Sequence, residues 1–241
     1  CSASRCHCSS VFLGHYGAAF AAKRVAPSTS LGALTFAAQF LDELWPILLL
    51  LGIEKVKIVP GLMAASPLDF VHYPYSHSLL MAIVWGLLIG GTYFLLRRYG
   101  EGAWMMAALV VSHWLLDLPM HRADLPLWPG DGSPRVGWGL WNSIPATYLI
   151  EFGVYAAGIW IYLRTTRALD RIGSWGLWAY IVVLAAIYVA SNGSPPPNEE
   201  ALAFIALGIW LFVPWAWWVD KHRIPVAMVG NPSAWKRARR R

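Results

Sequence analysis

The sequence predicts an all-α fold, a polytopic transmembrane helix bundle with six long spans and one short N-terminal helix. Three observations carry this expectation. Of 241 residues, 57% are hydrophobic and only 13% are charged, whereas a soluble domain carries about 25% charged residues. Six segments reach the roughly 20 mostly apolar residues that a helix needs to cross the hydrocarbon core. Lys and Arg, finally, collect on one side of the membrane when the loops are taken to alternate. Fifteen Trp, ten Tyr and nine Phe add more apolar area than the remaining polar residues can cover on a globule.

Residues 1–10 contain all the cysteines, Cys1, Cys6 and Cys8, so no disulfide framework supports the rest of the chain. This stretch reads as a disordered leader or a non-native extension, although Cys6-His7-Cys8 offers metal-ligand chemistry. The single transmembrane domain is expected over residues 11–223. Its first segment, 11–22, carries His15 and is shorter than a full span, so it is either a tilted or partial span or an interfacial helix. The long spans follow at 31–52, 79–96, 102–120, 145–163, 174–191 and 201–219. Residues 224–241 form a basic tail ending in Lys236-Arg-Ala-Arg-Arg-Arg241.

Alternating loops place fourteen basic residues on one side: Lys23, Arg24, Arg97, Arg98, Arg164, Arg167, Arg171, Lys221, Arg223 and the five of the terminal cluster. The other side receives Lys55, Lys57, Arg122 and Arg135. The rule that basic loops stay inside then puts the C-terminus in the cytoplasm. The net charge of +6 is juxtamembrane charge facing anionic lipid, which argues against a nucleic-acid partner. The outer side holds two long connections, 53–76 and 121–144. Loops of that length without clear secondary structure are often functional.

Ionisable groups in a span cost roughly 2.5–3.5 kcal/mol each on insertion scales and face a protein interior or a cavity. Here they are Asp42 and Glu43 in the first long span, His113 and Asp117 in the third, and Glu151 in the fourth. His77 opens the second span, and His15 lies in the short segment. Asp69 and His72 sit in the first outer loop. These depths are compatible with one site in the outer half of the membrane.

His113-Trp-Leu-Leu-Asp117-Leu-Pro-Met-His121 is the sharpest local pattern. Positions i, i+4 and i+8 span about 80° of a helix face, so His113 and Asp117 aim at a common point, joined by His121 if Pro119 does not bend it away. Imidazole and carboxylate are ligands of zinc and related divalent ions, and the same pair also serves as a hydrogen-bonded tie between helices. In His72-Tyr-Pro-Tyr-Ser-His77-Ser78, Pro74 is expected to prevent a regular helix and Ser76 to cap a helix starting at His77. Pro46 is expected to kink the first long span and free a carbonyl near Asp42.

With these residues in view, the chain resembles the bacterial family of predicted membrane-bound metal-dependent hydrolases, itself distantly similar to zinc-dependent phospholipase C. The resemblance rests on His15, Asp42, the His72–Ser78 element and His113-x-x-x-Asp117, and covers roughly residues 11–121. Two features depart from the family pattern: Glu43-Leu44 follows Asp42 where a second Asp is usual, and the loop element lacks an Arg.

The resemblance implies a divalent metal, zinc in the first instance, held by Asp42, His77, His113 and Asp117, then by His15 and His72, with His121 retained from the phospholipase pattern. It implies hydrolysis of an ester or phosphoester, with Asp69 or Glu151 as general base. A site within the outer leaflet points to a membrane lipid or another amphiphilic small molecule as substrate. Two alternatives use the same groups differently. One is an ion- or proton-coupled transporter or permease, and the other a non-catalytic membrane subunit.

Overall fold

The computed structural model describes residues 13–191 and 195–230. The cysteines of the leader and the terminal basic cluster lie outside these residues. Six helices are long and apolar enough to cross a membrane, and a short helix precedes them. The chain is therefore a polytopic helix bundle. Large side chains such as Leu87, Trp104, Leu149, Trp160 and Val182 point outward, as expected where the solvent is lipid rather than water.

The short helix α1 (Leu13–Ala22) is enclosed rather than interfacial: Leu13, His15, Tyr16, Ala19 and Phe20 are all buried. Its ten described residues rise about 15 Å, half of the hydrocarbon thickness. It lies against α6 (Ile144–Thr165) at backbone contact. A Cβ on Gly17 would stand 2.5 Å from the Val154 carbonyl oxygen, and one on Gly158 would collide with the Gly17 carbonyl. Small residues are what allow helices in lipid to approach this closely. Gly158→Val is accordingly expected to destabilise the protein by about 3 kcal/mol or more, read as thermal unfolding in detergent.

The central helix α2 (Leu31–Leu50) is capped by Ser30, whose Oγ accepts from Ala33 N–H at 3.2 Å, and it continues as helix through Pro46. After it, the connection 53–76 folds as an antiparallel hairpin, β1 (Lys55–Ile58) and β2 (Leu68–His72). One helical turn, α3 (Pro74–His77), then leads into α4 (Leu79–Arg97). Two expectations are corrected here. Pro74 starts a helical turn instead of preventing one, because proline at a first helical position costs no hydrogen bond. The cap of the span is Ser78, not Ser76: Ser78 Oγ accepts from Met81 N–H at 3.3 Å.

Helix α5 (Gly100–Met120) packs antiparallel to α4, with Gly86 and Gly90 seated on the Ala107 and Ala103 carbonyls. A small ribbon, β3 (Leu125–Pro126) with β4 (Arg135–Val136), braces the connection 121–144. Beyond α6, strand β5 (Thr166–Ala168) leads through a π-helical turn into α7 (Leu177–Ser191). The last span joins α8 (Glu199–Ala206) through a 3₁₀ stretch to α9 (Phe212–Lys221). Strand β6 (Arg223–Pro225), at the boundary expected between domain and tail, pairs with β5.

Two apolar cores result. One joins α2 and α5 to the connections 53–76 and 121–144 through Leu41, Trp45, Phe70, Trp114 and Trp141. The other is aromatic and fills the space between α1, α6, α7 and α9 with Tyr16, Phe20, Tyr155, Tyr180 and Phe212. At the end where Lys and Arg collect, Lys23 is buried, and its Nζ contacts Asp220 Oδ2 at 2.7 Å and the Thr29 carbonyl at 2.8 Å. Tyr162 donates to the other Asp220 oxygen at 2.9 Å.

Candidate metal centre

Four elements bring imidazoles and carboxylates to one buried point. Helix α1 supplies His15, α2 supplies Asp42, α3 supplies His77, and α5 supplies His113 and Asp117, one turn apart as the sequence spacing required. His77 Nε2 lies 3.4 Å from Asp42 Oδ1 and 3.9 Å from Asp117 Oδ2. His113 Nε2 lies 3.6 and 3.5 Å from the same two oxygens. Donor atoms about 2.0–2.1 Å from a tetrahedral zinc stand about 3.3–3.4 Å from one another, so these separations fit ligands around one ion. Two triads meet metal-ligand spacing among the described residues: Asp42, His77 and His113, and His15, His113 and Asp117.

Hydrogen bonds settle which imidazole nitrogen faces the centre. His113 Nδ1 lies 2.7 Å from the Ala38 carbonyl oxygen, which only accepts, so Nδ1 carries a proton and Nε2 is the nitrogen that faces the centre. For His77 the same result follows from a relay. Ser76 Oγ donates to Glu54 Oε2 at 2.6 Å and so accepts from His77 Nδ1–H at 2.7 Å. Glu54 is anchored in turn by the backbone N–H groups of Tyr75 and Ser76 at 2.9 and 2.8 Å. Both Nε2 atoms thus face carboxylate oxygens, an arrangement made attractive by a proton or by a shared metal cation between them.

Metal-ligating histidines usually donate their second N–H in this way, and losing the partner typically costs 10–100-fold in affinity. Glu54→Gln and Ser76→Ala are expected to weaken metal binding by about that factor, measured by competition with a chromophoric chelator.

His15 approaches Asp117 from the other side, with Nε2 3.1 Å from Oδ1, and its ring stacks on His113 with centroids 3.7 Å apart. Asp117 therefore faces His15 with one oxygen and the remaining cluster with the other. Four of the five side chains are at most 4% exposed, whereas Asp42 is 20% exposed. The accessible edge of the cluster is the Asp42 edge. Glu43 lies about 100° around α2 from Asp42, buried outside the cluster.

The remaining candidates are placed elsewhere. His72 ends β2, exposed, and lines a surface pocket of about 310 Å³ with Trp128, Asp131 and Arg135. His121 caps α5 and sits beside Phe70 and Trp141, its Nδ1 2.9 Å from Asp124 Oδ1. Asp124 also accepts from the Tyr73 hydroxyl at 3.1 Å and from Arg122 Nε at 3.2 Å. Burial, with Asp124 adding to it, pushes the Tyr73 hydroxyl well above the ordinary range, which keeps it a donor. Asp69 is ion-paired with Arg122. Glu151 Oε2 accepts from Gly14 N–H at 2.8 Å and so caps the buried start of α1, next to His15.

No family model, curated protein or solved structure matches this chain. The assignment of the cluster therefore rests on its donor set and geometry.

Glu54 and Asp124 were not among the sequence candidates. Asp124 follows His121 by three residues, and that spacing was a usable signal. Glu54 precedes its partner Ser76 by a whole hairpin, so no local pattern marks it.

Proposed function

We propose that the protein is a membrane-embedded, metal-dependent hydrolase of an ester or phosphoester, with a lipid or similar amphiphile as substrate. The observation that carries this reading is the convergence of four atoms of metal-ligand type, His77 Nε2, His113 Nε2, Asp42 Oδ1 and Asp117 Oδ2, on one buried point. Asp42, His77, His113 and Asp117 are assigned as ligands, with His15 contributing through Asp117. The mixed nitrogen and oxygen donors suit zinc, and the sequence resemblance to membrane-bound metal-dependent hydrolases agrees. A bound divalent ion supplies Lewis-acid polarisation of the ester oxygen and activation of water.

The protein's own residues supply the rest. Asp69 is tied to Arg122, and Glu151 to the start of α1. The group arranged for proton transfer is His121, oriented by Asp124 and separated from His77 by the Tyr73 ring. A carboxylate that fixes an imidazole is the usual arrangement of a general acid or base. The basic end of the bundle is assigned to the cytoplasm, which sets the cluster toward the outer leaflet, where Asp42 is the side chain a substrate reaches first.

The test is turnover by detergent-purified protein of phospholipids and chromogenic esters and phosphodiesters. Activity is expected to vanish with a chelator, to return with zinc, and to fall by about 100-fold or more in His121→Ala. Absence of turnover on every substrate, or a rate indifferent to chelation, overturns the reading.

A further inference from the structure

At the opposite end of the bundle from the metal cluster, a pocket of about 380 Å³ opens where α2 begins and α4 and α9 end. Its polar rim carries Arg97, Lys221, Ser28 and Ser30, and its walls are Ala33, Leu96 and Trp217. Asp220 also borders it, but that carboxylate is engaged by Lys23, by Leu31 N–H at 3.2 Å and by Tyr162. The pocket is thus cationic above and apolar below, and it lies at the depth where a span meets its basic loop.

Three further features fit one kind of occupant. Lys221 lies over the Trp217 ring, 3.1 Å from its centroid, which holds the ammonium at the rim. Tyr93 hydrogen-bonds Thr29 Oγ1 at 3.0 Å, and this contact fixes the loop that carries both serines. Finally, Leu96, in the apolar wall of the pocket, is 75% exposed, a surface along which an acyl chain can lie. Arg has five N–H donors and Lys three, so each can bind a phosphate oxygen while keeping another contact.

We propose that this pocket is a specific site for an anionic phospholipid, with the phosphate held by Arg97, Lys221 and the Ser30 hydroxyl, which accepts from Ala33 N–H and keeps its own proton to donate, and an acyl chain along the apolar wall of Ala33 and Leu96. Basic pockets between transmembrane helices recognise anionic headgroups in this manner.

The experiment uses the full protein in neutral detergent, with binding of phosphatidylglycerol, phosphatidylcholine and inorganic phosphate followed by native mass spectrometry and thermal unfolding. Phosphatidylglycerol is expected to bind roughly tenfold or more tighter than phosphatidylcholine and to raise the unfolding temperature, consistent with two cations near the headgroup. Arg97→Gln/Lys221→Gln is expected to reduce that preference to about twofold, whereas Arg164→Gln, a basic residue of the same end outside the pocket, leaves it intact. Unchanged metal content in the double variant verifies its fold and separates this site from the metal centre. Wild-type protein that does not discriminate between the lipids overturns the proposal even if the variant fails to fold. So does a folded double variant that keeps the preference, or inorganic phosphate that competes as well as the lipid.

Discussion

Purified wild-type protein is expected to contain close to one divalent ion per chain, and His113→Ala close to none. His113 is the residue on which the whole cluster turns, because its Nε2 belongs to both candidate triads and its Nδ1 is committed to the Ala38 carbonyl. Removing it leaves Asp42 and Asp117 facing each other across a buried space with one imidazole between them. Two like charges in a low-dielectric site repel strongly, so proton uptake replaces ion binding there. Elemental analysis of detergent-purified wild type beside His77→Ala and His113→Ala decides the matter. Because the helices keep their packing, the variants are expected to elute as wild type does on size exclusion. Metal-free wild type, or variants that retain full metal, would remove the basis for a metalloprotein.

The second large effect is expected at the basic end, in Asp220→Ala. Lys23, Asp220, Tyr162 and the Leu31 N–H form one buried network that joins the α1–α2 connection to α6 and α9. Removing the carboxylate strands a buried ammonium, and breaking such a pair by one partner costs about 3–5 kcal/mol. Replacing both partners with apolar residues of similar size is far gentler. Lys23→Met/Asp220→Leu should therefore recover most of the stability that Asp220→Ala loses, measured as thermal unfolding in a double-mutant cycle. A loss below about 1 kcal/mol in the single variant would show that water reaches the ammonium and that the pair is not truly buried.

Hydrophobic length made the six spans legible, since only that property determines whether a helix crosses lipid. The observed boundaries shift from the expected ones by two residues or fewer. Helical spacing equally revealed the convergence of His113 and Asp117. Less legible was whatever depends on residues distant in the chain. The hairpin after α2 has short strands that composition does not distinguish from loop, yet it carries Glu54 across to Ser76 and so orients His77. Lys23 read as a loop cation, and only the position of Asp220 on α9, 197 residues later, reveals it as buried. Glu151 read as a general base, and its contact with Gly14 depends on the α1–α6 approach that two glycines permit.

That approach has a consequence for biosynthesis. Helix α1 lies against α2 and α5, which follow it closely in the chain, but most of all against α6, which leaves the ribosome only after both. The Gly17–Gly158 contact therefore forms late. The Asp42, His77, His113 and Asp117 side chains can gather as soon as α5 has inserted, and His15 can meet them there through α5. A chain arrested before α6 would present the Gly17 face of α1 to lipid.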